Sequence, residues 1–473
     1  MPLHSKRRDF IKGMSMIALA SAGGCAPENP RAGLSVPTEP WLDVDVAVAG
    51  GGPAGVCAAV TAARMGAKTV IVERFGCLGG NLTLGHVSPI LGTVCPGTMA
   101  DEIRNLLREN HRDVPMLVSP RIGPEAHVDH EEAKIALAKL CADAGVTVLL
   151  CAPVVDAQLD GHRVTRLVVD TPKGLRTIRA KVVVDATGDG RVATAAGAEI
   201  KFGRDSDGGI QPSTLEFVVE GVDEKRGITC WGTTDPVKLE SGEEYRTLCQ
   251  RMNASGELPK NVTIVRLHRT FYPGERSVNA TQMNGLDPLD PIDIGKAEVD
   301  LRRQIEQCVA FLRKHVQGFE NCHIKSSAGT LGVRESRRVT GDAVVVDDDL
   351  AEGRNYPDAV VHNVWFLIDI HNPKGGGQAE GFSHPSKLYD IRYGAFLPKG
   401  IDGLLTAGRC ISGTHRAHAS YRVMTPCMAM GEAVGVAAAL AARRGVLPRD
   451  VPVADIRQTL SERGVKLDSK ESV

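Results

Sequence analysis

The sequence has 473 residues, 42% hydrophobic and 24% charged, which fits a globular chain with a large core and excludes a disordered or fibrous one. Lys+Arg 56 against Asp+Glu 57, a formal net charge of -1, leaves no global basic field for a nucleic-acid partner. The 51 glycines are about one and a half times the usual ~7% share and follow no collagen period, which points to tight turns and close backbone approaches to a ligand.

Arg7-Arg8-Asp9-Phe10-Ile11-Lys12 precedes a mildly apolar run over 13–24. This is a charged n-region with an h-region too short to span a bilayer. The arginine pair resembles a Tat export signal, with Lys6 where that pattern usually has Ser or Thr. Ala20-Ser21-Ala22 offers a cleavage site; Ala22-Gly23-Gly24-Cys25 is lipobox-like but has Ala22 for the usual Leu, which makes Cys25 a candidate lipid anchor. The resemblance implies a signal peptide over 1–25, passage through the Tat translocon, and a periplasmic or exported product, membrane-anchored if Cys25 is lipidated. Residues 26–42, rich in Pro and small residues, read as a linker, and no later stretch reads as a membrane helix. The twelve cysteines contain no C-x-x-C pair, so no metal site is expected, and Cys57, Cys141 and Cys151 read as small hydrophobes in helix or strand patterns.

A short apolar strand over 45–49 leads into Gly50-Gly51-Gly52-Pro53-Ala54-Gly55, followed by an Ala-rich helix over 56–65 and a strand over 69–72 ending at Glu73. This is the full context of a dinucleotide-binding turn. Gly50 makes the tight turn, Gly52 lets backbone approach a pyrophosphate, and Gly55 permits close helix–strand packing. The helix N-terminus around Pro53 and Ala54 supplies N–H groups for phosphates, and Glu73 falls where an acid binds a ribose hydroxyl. Further on, 133–145 has helical period and 146–155 reads as a strand. Residues 163–169 and 175–178 alternate like a β-meander around a turn at 170–174, before an apolar strand over 181–186.

Two further segments resemble flavoproteins with two dinucleotide-binding domains. One is Arg74-Phe75-Gly76-Cys77-Leu78-Gly79-Gly80-Asn81; the other is Ala186-Thr187-Gly188-Asp189-Gly190. The resemblance implies FAD, with Arg74, Gly80 and Asn81 at the pyrophosphate and flavin, Val155 at the adenine, and Ala186, Gly188 and Asp189 on the returning chain. Four C-terminal segments, Gly332-Val333-Arg334-Glu335-Ser336-Arg337-Arg338, Ile368-Asp369-Ile370-His371, Leu405-Thr406-Ala407-Gly408-Arg409-Cys410 and Ser420-Tyr421-Arg422-Val423-Met424-Thr425-Pro426, resemble the FAD-dependent oxidoreductase family labelled xanthan-lyase-related. Gln211-Pro212-Ser213-Thr214-Leu215 fits as well, while Arg392 stands where that family tends to have proline. The family places Gly408 and Arg409 at the flavin strand. Thr425 then opens an Ala/Gly-rich helix over 424–443 whose N–H groups would face the flavin pyrimidine edge.

The expected fold is α/β: a Rossmann-like FAD-binding domain, with a central parallel sheet and β-meander, and an inserted α+β substrate or cap domain. The FAD domain takes 43–202, a return segment at 326–343 and 396–445; the cap takes 203–325 and 344–395, and 446–473 forms a surface tail. Residues 300–316 read as a charged, solvated surface helix. Three clusters compete for the substrate. Arg334, Glu335, Arg337 and Arg338 could hold an anion or form structural ion pairs. His371 could be a general base or a satisfied core histidine. His415, Arg416, His418 and Arg422 lie between the flavin strand and helix, in the loop that borders the flavin in related enzymes. His371 with His415 is the preferred proton-handling pair, and His86 and Cys410 are candidates for covalent flavin attachment.

The expected reaction moves hydride from a small polar substrate (a sugar, sugar acid, hydroxy acid or amine) to flavin N5, with an electron acceptor the sequence does not name. The alternatives are fumarate-reductase-like C=C reduction, a flavin-containing lyase or isomerase without net redox, and an exported binding protein that retains FAD.

Overall fold

The computed structural model describes residues 36–467, apart from 115–116, 120–122, 126 and 381–382. The export signal, Cys25 and most of the linker therefore lie outside the described residues, as do the last six residues of the tail. Five parallel strands form the central sheet in the order Thr147–Leu149, Thr69–Val72, Leu42–Ala49, Gly174–Asp185, Leu404–Thr406. Parallel strands are buried on both faces, and the alternation shows where each face goes. Val46, Val48, Ile71, Val182 and Val184 face the long helices, whereas Ala47, Ala49, Val70, Val72 and Val183 face the meander. Register aligns the strand ends: Ala49 pairs with Val72 and with Asp185, and Asp185 with Thr406. Gly50, Glu73, Ala186 and Ala407 consequently leave the sheet side by side.

Two strand boundaries differ from the sequence reading. The pieces at 175–178 and 181–186 are one strand, Gly174–Asp185, which pairs antiparallel with Arg163–Thr171 and parallel with Leu42–Ala49. Arg179, between the two pieces, ion-pairs with Asp43 on the neighbouring strand. The expected strand over 146–155 is broken instead. Cys151 turns with φ of +53° and its N–H donates to Phe75 O, so Thr147–Leu149 ends and Val154–Asp160 begins the meander.

The helices Pro53–Arg64 and Met424–Arg444 cross at van der Waals contact on one face of the sheet. A Cβ at Gly431 would sit 2.1 Å from Ala54 O, and one at Gly435 2.6 Å from Ala58 O, so glycine sets the approach of the two backbones. Contrary to the sequence reading, Met424–Arg444 is long and apolar enough by length and composition to cross a membrane. Within the fold it is buried from Met424 to Ala442, with the sheet and three helices around it.

The inserted domain has its own core. An antiparallel sheet in the order Arg266–Arg269, Arg276–Asn279, Phe217–Glu220, His323–Ser327 packs with the helices Tyr245–Ser255 and Pro291–His315. Asp290 caps the second helix by accepting from Ile292 and Asp293 N–H. Residues 300–316, expected on the surface, belong to this helix, and their apolar stripe, Leu301, Ile305, Cys308 and Leu312, is central to the core. The charges read from the sequence occupy the opposite face.

Two other segments join the nucleotide-binding core. In 344–395, expected in the cap, Val345, Leu350, Val361, Val364, Tyr389 and Ile391 pack with the long helix. So do Val451, Ile456, Leu460 and Val465 of the expected surface tail. The return segment contributes Arg337–Val339, which pairs with Ile200–Phe202 in a separate two-stranded sheet. Arg392 sits in the strand Tyr389–Arg392 and forks onto Asp358. Among the described residues every cysteine is free.

Candidate active site

The aligned strand ends open onto a trough. Gly50 makes the turn at φ +97°, and a Cβ there would lie 2.4 Å from Ala186 O. At Gly55 a Cβ would lie 1.9 Å from Gly50 O, whereas at Gly52 nothing stands within 4 Å. The first two glycines are thus fixed by backbone contact, and the third leaves backbone open to a ligand. The helix Pro53–Arg64 starts here without a side-chain cap, so its first-turn N–H groups and positive dipole end suit a phosphate. Glu73 is buried at the end of the second strand, its carboxylate accepting from Gly51 N–H at 2.6 Å and Phe75 N–H at 2.9 Å.

The trough has two stretches that share Gly50, Glu73, Arg74 and Thr187. One passes Pro153, Val154 and Asp189. The other passes Gly52, Pro53, Ala54, Gly80 and Asn81 on one side, and Ala186, Gly188, Gly408 and Arg409 on the other. Arg409 clasps the walls together. Its guanidinium donates to Gly188 O, to Val333 O and to Asp189 Oδ1, and Asp189 also accepts from Ser336 Oγ.

A second cavity, of about 280 Å³, lies between the cap sheet and the segments 87–91 and 366–378. Strand alternation supplies its cap wall: Leu267 and Val278 turn into the cap core, while Arg266, His268 and Asn279 face the cavity. Glu216, just before the strand Phe217–Glu220, lines the same wall, and His371 and Asp369 line the other. Arg422 joins the two spaces. It lines the trough, and its Nη2 donates to Asp369 Oδ2 at 3.2 Å.

Burial controls the charges in this cavity. His371 is pushed down to about 4 by burial and by the nearby Arg334 guanidinium, so it is neutral at neutral pH. Its Nε2 lies 3.3 Å from Asp369 Oδ2. Burial alone would raise Asp369, but His371, Arg422 and Arg266 outweigh it and keep the carboxylate well below its usual range. Gln378 Nε2 and Ser383 Oγ also donate to Asp369. Glu216 is pushed up to about 8 by burial, against the opposing pull of Arg334 and Arg266, and its Oε2 is buried without a partner.

Comparison with known proteins agrees with this geometry. The family model described as FAD dependent oxidoreductase matches residues 45–460. The chain belongs to this family of FAD-dependent oxidoreductases. Among curated proteins, it is similar to thiamine thiazole synthase of Desulfosudis oleivorans, at 32% identity over 31% of this chain and 57% of that one. The thiamine thiazole synthase of Pyrobaculum aerophilum is 33% identical over 34% of this chain and 62% of its own. The oxidoreductase thus spans about six tenths of the length of these relatives. Among solved structures it is similar to p-nitrophenol 4-monooxygenase from Pseudomonas putida, with a TM-score of 0.48 and 14% identity over 90% of this chain and 88% of that one.

The cofactor is FAD, and the trough of the oxidoreductase fits it: glycine-only turns, open backbone at Gly52, an uncapped helix start and a buried acid at the second strand. Most residues expected at the cofactor line the trough. Four differ. Gly55 acts through packing against Gly50 rather than as lining. Pro153 and Val154 line the Glu73 end, and Val155 does not. Met424 and Cys427 represent the long helix, whereas Thr425 is wholly buried, with its N–H on Leu91 O and its Oγ1 accepting from Arg104. Cys410 is buried outside the trough, as is His86, whose ring stacks on His130.

Of the expected catalytic residues of the oxidoreductase, only His371 lines the cavity. His415 Nδ1 is 2.8 Å from Glu335 Oε1, and Glu335 is also bound by Arg338 and by Gln211 N–H. This is a buried structural network. His418 is wholly buried with neither ring nitrogen partnered. Arg334 donates to Pro212 O and stands behind the wall. The sequence reading missed Glu216, Asp369, Arg266 and Trp231. Glu216 did leave a signal: it is a single acid between the apolar residues Leu215 and Phe217, one step beyond a segment already singled out.

Proposed function

We propose that the protein is a dehydrogenase or oxidase of a small polar substrate, with FAD supplying, when bound, the hydride acceptor at N5. The observation that carries this reading is the Arg422–Asp369–His371 chain, which runs from the trough to a polar cavity beside it. His371 is placed to take the accompanying proton. With Nε2–H donated to Asp369, its Nδ1 lone pair is left without a partner among the described residues, and the ionised Asp369 stabilises the imidazolium that forms. The remaining work of the cavity is to hold the reacting C–H bond in place and exclude water.

The test is anaerobic mixing of the flavin-loaded protein with sugars, sugar acids, hydroxy acids and amines. A substrate of this class bleaches the flavin; bleaching by none of them overturns the reading. His371→Gln is expected to keep its flavin and slow bleaching by about a hundredfold or more. Export belongs to the same reading: replacing Arg7 and Arg8 with lysine is expected to retain the precursor in the cytoplasm, and an unchanged distribution would overturn it.

A further inference from the structure

The cavity contains more unanswered polarity than proton transfer needs. Arg266 and Arg246 both line it, and among the described residues neither guanidinium has a hydrogen-bond or ion-pair partner. The acids present do not balance them. Asp369 is already engaged by His371, Arg422, Gln378 and Ser383. Glu216 is held protonated by burial. The uncompensated charge facing a ligand is therefore positive, and Arg334 behind the wall adds to it.

Three buried acceptor or donor atoms around the same space are also without partners among the described residues: Glu216 Oε2, His268 Nδ1 and Gln378 Oε1. Each costs free energy unless a ligand satisfies it. Trp231, whose ring meets His268 edge-on at 4.3 Å, gives the cavity an aromatic wall.

We propose that the cavity binds a hydroxylated carboxylate, a sugar acid or hydroxy acid, with the carboxylate on Arg266 and the hydroxyl groups on Glu216, His268 and Gln378. A guanidinium in a half-buried cavity is the group best matched to a carboxylate, through two parallel charge-assisted hydrogen bonds. Arg246, exposed at the rim, steers the same anion inward. An amine would meet unbalanced positive charge, and a neutral sugar would leave Arg266 unpaired. This assignment rests on the proposed oxidation for its place beside the flavin, but it is a statement about binding.

The test uses the flavin-loaded protein with glucuronate, galacturonate and lactate against glucose, galactose and propylene glycol. Binding is read by calorimetry and by perturbation of the flavin spectrum, and reduction by anaerobic bleaching. Acids are expected to bind at least about tenfold tighter than their neutral counterparts. Arg266→Gln is expected to remove that preference with flavin content unchanged, and Arg266→Lys to restore part of it. Neutral members binding as well as the acids, no acid binding at all, or an unchanged preference in Arg266→Gln would each overturn the inference. Acids that bind without bleaching leave it standing and overturn the proposed oxidation; bleaching by neutral sugars alone does the reverse.

Discussion

The trough and the neighbouring cavity handle polarity in opposite ways. In the trough, Arg409 is held by Gly188, Val333 and Asp189, and Glu73 by Gly51 and Phe75, so side chains brace a surface made largely of backbone. In the cavity, Arg246 and Arg266 face open space and Glu216 keeps an unpartnered oxygen. A site that holds one constant cofactor can be shaped by backbone contact and fixed internally. A site that recognises a substrate has to keep hydrogen-bonding capacity in reserve for it.

The most severe test of this contrast is Gly55→Ala. The added Cβ would lie 1.9 Å from Gly50 O, a backbone atom rather than the end of a flexible side chain. The expected outcome is a colourless protein, read by visible absorbance, with a stability loss of about 3 kcal/mol or more. Arg338→Ala comes next. Arg338 answers the buried Glu335, which also holds His415. Removing it is expected to cost about 3–5 kcal/mol in denaturant unfolding while leaving substrate preference in the cavity unchanged.

A smaller, sign-specific effect separates the two titrating walls of the cavity. Glu216 moves from 4.5 up to about 8, so between those values the folded state holds a proton that the unfolded state has lost, and stability falls as pH rises. Glu216→Gln removes this term. Its stability relative to the parent protein is expected to improve with pH across that window; a flat difference would contradict a protonated Glu216. His371, moved from 6.5 down to about 4, has the opposite sign. Its contribution is present above 6.5 and lost as pH falls towards 4, so His371→Gln is expected to lose less stability on acidification than the parent.

The smallest effect belongs to His418, which neither site uses. Both its ring nitrogens are buried without partners, so His418→Leu is expected to change stability by no more than ~1 kcal/mol and to leave flavin content intact. A loss of activity there would mean that the cavity extends further than its lining residues indicate.

Much of the trough was legible in the sequence because its requirements are local. Gly50, Gly52, Gly55 and Glu73 lie on one strand–turn–helix–strand unit, and the spacing alone indicates which residue turns, which approaches and which packs. The histidines could not be sorted in this way. His371, His415 and His418 carry no local pattern in sequence that separates a cavity residue from a packed one. Only His371 reaches the cavity, because His415 is captured by Glu335, 80 positions earlier in the chain. Thr425 was displaced in the same manner, its hydroxyl accepting from Arg104, 321 positions away.

By itself, then, the sequence determined the nucleotide-binding turn and the family. The tertiary structure decided that residues 344–395 and the tail complete the nucleotide-binding core, and that Arg266, Glu216 and His371 share one cavity. The physical reason is range. Turn geometry and strand alternation are set by neighbours in the chain, whereas the state of a titratable side chain is set by burial and by partners the chain brings back from far away.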